Sequence, residues 1–204
     1  AYAGPPLNWV TMPDQFVWSF FEHTVRATQT TDAASRTSPI FAELSLISSH
    51  APWTPILPVL EDWDSIGNGS VFGPWEHAGE RPEDLWRDRT RIQEAYARSV
   101  DYALNAMIGY AERYVDDRML VIVLGDHQPA PLITDDHASR AVPVHVISGD
   151  PDLIAPFVAW GFARGGLPHP DQPPQRMDVF RDWFVHAFSQ PVTQATPSLS
   201  RDPK

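Results

Sequence analysis

Five apolar residues, Leu120 to Leu124, run without a break, stop at Gly125, and are followed at once by Asp126 and His127. A β-rich run this short, closed by glycine, reads as a strand buried on both faces, as in a parallel sheet covered by helices. In open α/β sheets, ligands bind beyond the carboxyl ends of the strands. Such a strand delivers a carboxylate and an imidazole to the place where these folds keep their chemistry. On the dipeptide alone, a turn-capping Asp126 and an incidental His127 are the simpler reading.

The remaining sequence bounds what this strand belongs to. A chain of 204 residues, 43% hydrophobic and with eight Trp and ten Phe, supports one α/β domain with a real core. Its 21 prolines, about twice the usual share, imply many fixed turns. A formal charge of −11 argues against a nucleic-acid partner, since phosphate neutralisation needs a basic face. There is no cysteine, hence no disulfide and no thiolate chemistry. No apolar run approaches the ~20 residues of a membrane span. The first residue is Ala rather than Met, which reads as a mature form or a fragment.

The other elements follow in chain order. Pro13-Asp14 opens a helix over about 13–27, with Phe16, Val17, Phe20, Phe21 and Val25 at helical spacing and His23 off that stripe. Residues 27–38 are a Thr/Ser-rich loop. Ile40–Ile47 reads as a strand with Ile40, Ala42, Leu44 and Leu46 on one face, placing His50 just past its end. Residues 55–80 form a long Pro/Gly/Trp-rich excursion, of a kind that is often functional. Within it Asn68-Gly69 marks a tight turn, Asn68-Gly69-Ser70 is a chance-level glycosylation sequon, and Glu76 and His77 belong to a solvated loop. A short helix starts near Pro82. Thr90-x-x-Gln93 reads as a capping box for a helix over 90–115, where Asp101 lies beside the apolar stripe. Residues 129–139 form a loop with Asp135, Asp136 and His137. Val142–Ile147 is a third strand, Pro151 begins a further helix, and the last helix covers about 176–188. The division is one domain over 1–189 and a polar tail over 190–204.

Four segments together resemble the alkaline phosphatase/sulfatase superfamily, most nearly its lipoteichoic acid synthase-type, sulfatase-like members, including actinobacterial membrane relatives. They are PIFAELSLISSHAPWTP, with a Ser-His strand end before a Pro-aromatic pair; YARSVDYALNAMIGYAERY, a long helix with an internal Asp; RMLVIVLGDHQPA, a Gly-Asp-His strand; and ASRAVPVHVIS. They run from about residue 38 to 148. The resemblance implies an alkaline-phosphatase-like three-layer α/β sandwich with a mostly parallel central sheet, of which this chain is the C-terminal portion.

It also implies roles. Asp126 and His127 become metal ligands, and His50 with Trp53 a substrate-binding pair for the phosphate or sulfate group. A carboxylate and an imidazole suit one divalent metal such as Mn, Zn or Mg. Two-metal members place an Asp four residues before the equivalent His; Leu46 stands there and cannot ligate, which favours the one-metal variant. The implied parent is a metal-dependent hydrolase or phosphoglycerol-type transferase on the extracytoplasmic face of a bacterial membrane, anchored by a segment outside this chain. Its substrates are small phosphate or sulfate esters or a lipid-linked glycerol phosphate. A Thr or Ser nucleophile would form a covalent intermediate. No matching nucleophile stands among the 49 residues before His50, where Thr28, Thr30 and Thr31 are poor candidates. The missing N-terminal half is therefore the expected partner, and the chain alone is expected to turn over phosphate or sulfate monoesters poorly. The competing reading is a non-catalytic interaction or sensor module.

Overall fold

The computed structural model describes residues 1–28, 39–135, 137–169 and 171–189. Thr30, Thr31, Asp136 and the tail over 190–204 lie outside the described residues. The chain divides into two compact units, Ala1–Pro151 and Asp152–Lys204.

The first unit is organised by two helices. Helix α1, Asp14–Phe20, starts after Pro13, which is extended at its N-cap and has no side chain to cap with. A distant residue supplies the cap: the Asp14 N–H donates to Ser48 Oγ at 2.9 Å. The chain continues past α1 as a π-helical turn over Phe21–Arg26. That wider turn moves the side chains off the 3.6-residue stripe read from the sequence. Phe16 and Phe21 remain in the core, but Phe20 and Val25 face solvent.

The excursion over 55–80 is a source of core rather than a bare loop. Two 3₁₀ turns, Asp64–Ile66 and Ser70–Trp75, bring Ile66 and Phe72 to full burial beside Leu57 and Trp63. Gly69 takes a φ of 88°, and a Cβ there would lie 2.3 Å from the Tyr2 ring, so only glycine fits. Glu76 and His77 are exposed.

A four-residue helix α2, Pro82–Leu85, precedes the long helix α3, Arg89–Tyr114. The cap of α3 is Asp88, not the expected Thr90: Asp88 Oδ1 accepts from the Thr90 and Arg91 N–H groups. Gln93 turns outward instead and donates to the Ile133 carbonyl at 2.9 Å. Ile92, Ala95, Ser99, Tyr102, Ala106 and Tyr110 form the buried stripe, and Asp101 is exposed. Trp18 stacks on Tyr110 at 4.6 Å, and Trp63 and Tyr114 close the same aromatic floor.

The expected three-layer sandwich with a mostly parallel sheet is not what the chain forms. The sheet among the described residues has two strands, β1 Val121–Leu124 and β2 Val144–Ile147, paired antiparallel with Val121 opposite Ile147 and Leu124 opposite Val144. A parallel pair needs a crossover, usually a helix. Among the described residues of 125–143 there is no helix, and the chain returns antiparallel. The continuous apolar run also misled as a sign of two buried faces. Val121, Val123 and Ile147 pack on the core, whereas Leu124 is 49% exposed.

The third expected strand, 40–47, joins no ladder. The Asp14 carboxylate holds its end in place, with Oδ1 accepting from Ile47 N–H at 3.0 Å and Ser48 N–H at 2.8 Å. Leu44 and Leu46 lean on the core as the alternation required, but Phe41 is 91% exposed. Those two backbone amides bond to a side chain rather than to a neighbouring strand.

The second unit, taken by itself, is a small aromatic cluster. Pro151 opens helix α4, Pro151–Ala159, and helix α5 covers Met177–Phe188. Phe157 is fully buried among the rings of Trp160, Phe162, Phe180 and Phe188. No helix among the described residues is long and apolar enough to cross a membrane.

Candidate functional site

The main concavity of the first unit is a cleft of about 1230 Å³. One wall is β1 with its flanks, from Arg118 to Pro129, and the other is the unpaired stretch from Pro39 to Leu46. Side chains of α1 and α3 make the floor, among them Trp18, Phe21, Val100 and Met107.

Asp126 and His127 stand on this cleft, immediately after β1. Both are solvated, with side-chain exposures of 88% and 74%. Asp126 Oδ1 accepts the His127 backbone N–H at 2.9 Å, a local turn contact. The imidazole Nδ1 lies 2.8 Å from the Gln128 carbonyl oxygen, a distance at which Nδ1 carries the proton and donates. Nε2 is the ring nitrogen not engaged by a carbonyl, and it faces Asp126 Oδ2 at 3.4 Å; in the neutral ring it carries the lone pair. Two ligand atoms each ~2.0–2.1 Å from a tetrahedral metal lie roughly 3.4 Å apart, so this pair has the spacing and the tautomer of two metal ligands. A structural or catalytic site needs at least three protein ligands. Among the described residues, no group of three or more His, Asp or Glu side chains converges on one point.

His50 and Trp53 do not border the cleft. His50 is exposed, stacks on Trp9 at 6.3 Å, and its Nδ1 meets the Ala51 carbonyl at 2.7 Å. Its neighbour Ser49 does line the cleft. Trp53 is buried in a separate small core cluster with Leu85, Ile92 and Ala95. It sits in the left-handed region at φ 60°, stacked 5.3 Å above Trp86 and donating from Nε1 to the Ser49 carbonyl. Those contacts use both the ring face and the indole N–H inside the chain itself. His169, in the second unit, is exposed; His137 and His77 are exposed and outside the cleft lining. Thr28 lies outside the cleft lining as well.

Sequence reasoning missed two residues beneath the cleft. Asp14 is buried; its Oδ1 is satisfied twice, but its Oδ2 has no hydrogen-bond partner among the described residues. Burial pushes its carboxyl above the usual carboxylate range, against the hydrogen bonds from Ser48 and Ile47. One turn on, the Trp18 Nε1 is also buried without a partner among the described residues, as is the Tyr102 hydroxyl, which lies away from the cleft on the side of Leu60 and Trp63. Burial and the nearby Asp14 carboxylate both push the Tyr102 hydroxyl upward. The only sequence signal was the Pro13-Asp14 helix start, which predicts an exposed first-turn acid. At the other end of this face, Arg26 bonds Glu22 at 2.9 Å and the Tyr114 carbonyl at 3.1 Å, while Tyr110 donates to Glu22 at 3.0 Å. Arg118 bonds Asp116 at 2.9 Å and holds its carboxyl below the usual range.

Compared with known proteins, the chain matches no family model, no curated protein and no solved structure.

Proposed function

We propose that this chain supplies Asp126 and His127 as two ligands of a divalent metal in phosphate- or sulfate-ester chemistry, the other ligands and the nucleophile coming from outside these residues. The observation that carries the reading is the 3.4 Å approach of Asp126 Oδ2 to His127 Nε2, with Nδ1 engaged by a carbonyl. The resemblance of RMLVIVLGDHQPA and its flanking segments to the sulfatase-like proteins adds to it. A metal held there would act as a Lewis acid on a phosphoryl or sulfuryl oxygen. The chain's own part is to fix the imidazole tautomer through Gln128 and to orient the carboxylate through the His127 amide.

Calorimetric titration with Zn²⁺ and with Mn²⁺ tests this. Weak binding is expected, with a dissociation constant at least tenfold larger in both Asp126→Ala and His127→Ala. Equal affinity in the parent chain and both variants would end the reading. With two ligands and no nucleophile, turnover of a chromogenic phosphate ester is expected to stay near the uncatalysed rate. Robust metal-dependent turnover would mean that a nucleophile lies within the chain.

The second reading, a non-catalytic interaction module, is favoured by one observation of its own. His50 and Trp53 lie outside the cleft that Asp126 and His127 border, and the Trp53 indole N–H is bonded to the Ser49 carbonyl, so the expected substrate-binding residues are not assembled beside Asp126 and His127.

A further inference from the structure

The β1–β2 register determines which backbone groups of β1 are spoken for. The Gly125 N–H donates to the Pro143 carbonyl, which continues the register by one pair and marks it as a hydrogen-bonded pair. Hydrogen-bonded and non-bonded pairs alternate along an antiparallel ladder. Val123 with His145, and Val121 with Ile147, are therefore the other bonded pairs. The N–H and C=O groups of Ile122 and Leu124 point the opposite way, to the edge without a strand. Among the described residues they have no hydrogen-bond partner. The facing wall has the same deficit: the backbone from Ile40 to Leu46 bonds to nothing among the described residues. Two extended, unpaired stretches thus line one cleft of about 1230 Å³.

Each alternative occupant fits less well. A second copy would have to present its own β1 edge, and that edge is a wall of a concave cleft rather than a projecting element. A drug-sized molecule fills roughly 300–1,000 Å³ and cannot repeat donor and acceptor at strand spacing on two sides. An extended peptide does both, and an open strand edge is the usual template for one. The side chains around it set its character: Ile40, Leu104 and Leu124 line the cleft and remain part-exposed. Burying them favours apolar side chains on the incoming strand.

We propose that this cleft is a strand-acceptor site, taking one extended, apolar segment of a partner protein that pairs with the Ile122 and Leu124 edge of β1. The partner strand adds a third strand to the sheet and covers Leu104 and Leu124.

Amide hydrogen exchange read by NMR on the whole chain tests the proposal, with sedimentation velocity reporting its association state. In the free monomer, the Ile122 and Leu124 amides should exchange at least tenfold faster than those of Val121 and Val123. The probe is a soluble peptide, Lys-Thr-Val-Thr-Val-Thr-Val-Lys, at millimolar concentration. It should slow exchange at Ile122 and Leu124 at least tenfold. The same peptide with alternate amides N-methylated, which cannot pair along that edge, should leave both unchanged. In Ile122→Pro, the chain loses an outward N–H that the ladder does not use, and peptide affinity should fall at least tenfold. Retained protection at Val121 and Val123 would report that this variant still forms β1. The proposal is overturned if the two peptides act alike, or if neither slows exchange. It is also overturned if Ile122 and Leu124 are already protected, in the monomer by the chain itself or in a dimer by a second copy.

Discussion

Asp14 and Gln15 are neighbours on α1, both fully buried, and they look onto different sides of the first unit. Gln15 reaches Leu60: its Nε2 donates to the Leu60 carbonyl at 2.7 Å and its Oε1 accepts the Leu60 N–H at 2.9 Å. The amide side chain matches the backbone group for group. Asp14 reaches Ile47 and Ser48 at the cleft side, where one carboxylate oxygen does all the bonding and the other has no partner among the described residues. Leu60 packs against the core cluster that holds Trp63, Ile66 and Phe72. Beside Asp14 lie an unpaired wall and an open strand edge. The Gln15 side has a concavity of its own, about 640 Å³ and lined by Leu57, Leu60, Trp63 and Tyr102, but both Leu60 groups are satisfied there, whereas the cleft side leaves an Asp14 oxygen, the Trp18 Nε1 and a strand edge unmatched among the described residues. Buried polar groups are ordinarily paired, so the shortfall on the cleft side marks where the fold expects something more.

The contrast can be broken most forcefully on the Gln15 side. Phe72→Ala removes a ring with no exposed surface, and should lower unfolding stability by about 3–5 kcal/mol. A urea titration at neutral pH reads this directly. A loss under ~1 kcal/mol would show that the 3₁₀ segment can collapse into the void. Gln15→Leu keeps most of the volume but strands the Leu60 N–H and carbonyl. The expected loss is about 1–3 kcal/mol by the same titration. If the variant were neutral, water from the neighbouring cavity would have to satisfy the Leu60 N–H and carbonyl.

On the cleft side the expected effect is smaller and depends on pH. Burial raises the Asp14 carboxyl, so the folded chain retains a proton that the unfolded chain has already lost. Its contribution is complete below the ordinary carboxylate pKa of about 3.9 and is lost as pH rises through the raised folded value. Asp14→Asn keeps an acceptor for the Ile47 and Ser48 amides and carries no charge. Relative to the parent chain, it should therefore gain stability between pH 4 and pH 7, as followed by thermal unfolding across that range. A difference that stays constant with pH would mean that Asp14 ionises as freely in the folded chain as in the unfolded one.

Local pattern carried much of the chain. Helical periodicity located α3 to within a residue at each end, because a buried stripe from Ile92 to Tyr110 repeats over many turns. It located α5 and the strands β1 and β2 as well, since a run of β-branched residues closed by glycine or serine has few other uses. The adjacency of Asp126 and His127 after β1 was legible for the same reason: chemistry placed at a strand end is written in consecutive residues.

What no local pattern contains is the partner of each strand. Sequence alone cannot separate a parallel from an antiparallel neighbour when both read as apolar runs, and the connection from Gly125 to Pro143, with no helix among its described residues, decided it by turning back. The same holds for Ile40–Ile47, whose alternation was real and whose Leu44 and Leu46 do face the core, but whose ladder did not form. Its amides at Ile47 and Ser48 satisfied themselves on Asp14, a residue more than thirty positions earlier. Burial of Asp14, the turn of Trp53 into a core cluster and the open edge at Ile122 and Leu124 are all of this kind. Periodicity reports which face of a segment is apolar. Only tertiary packing assigns what that face, and each backbone group along it, finally meets.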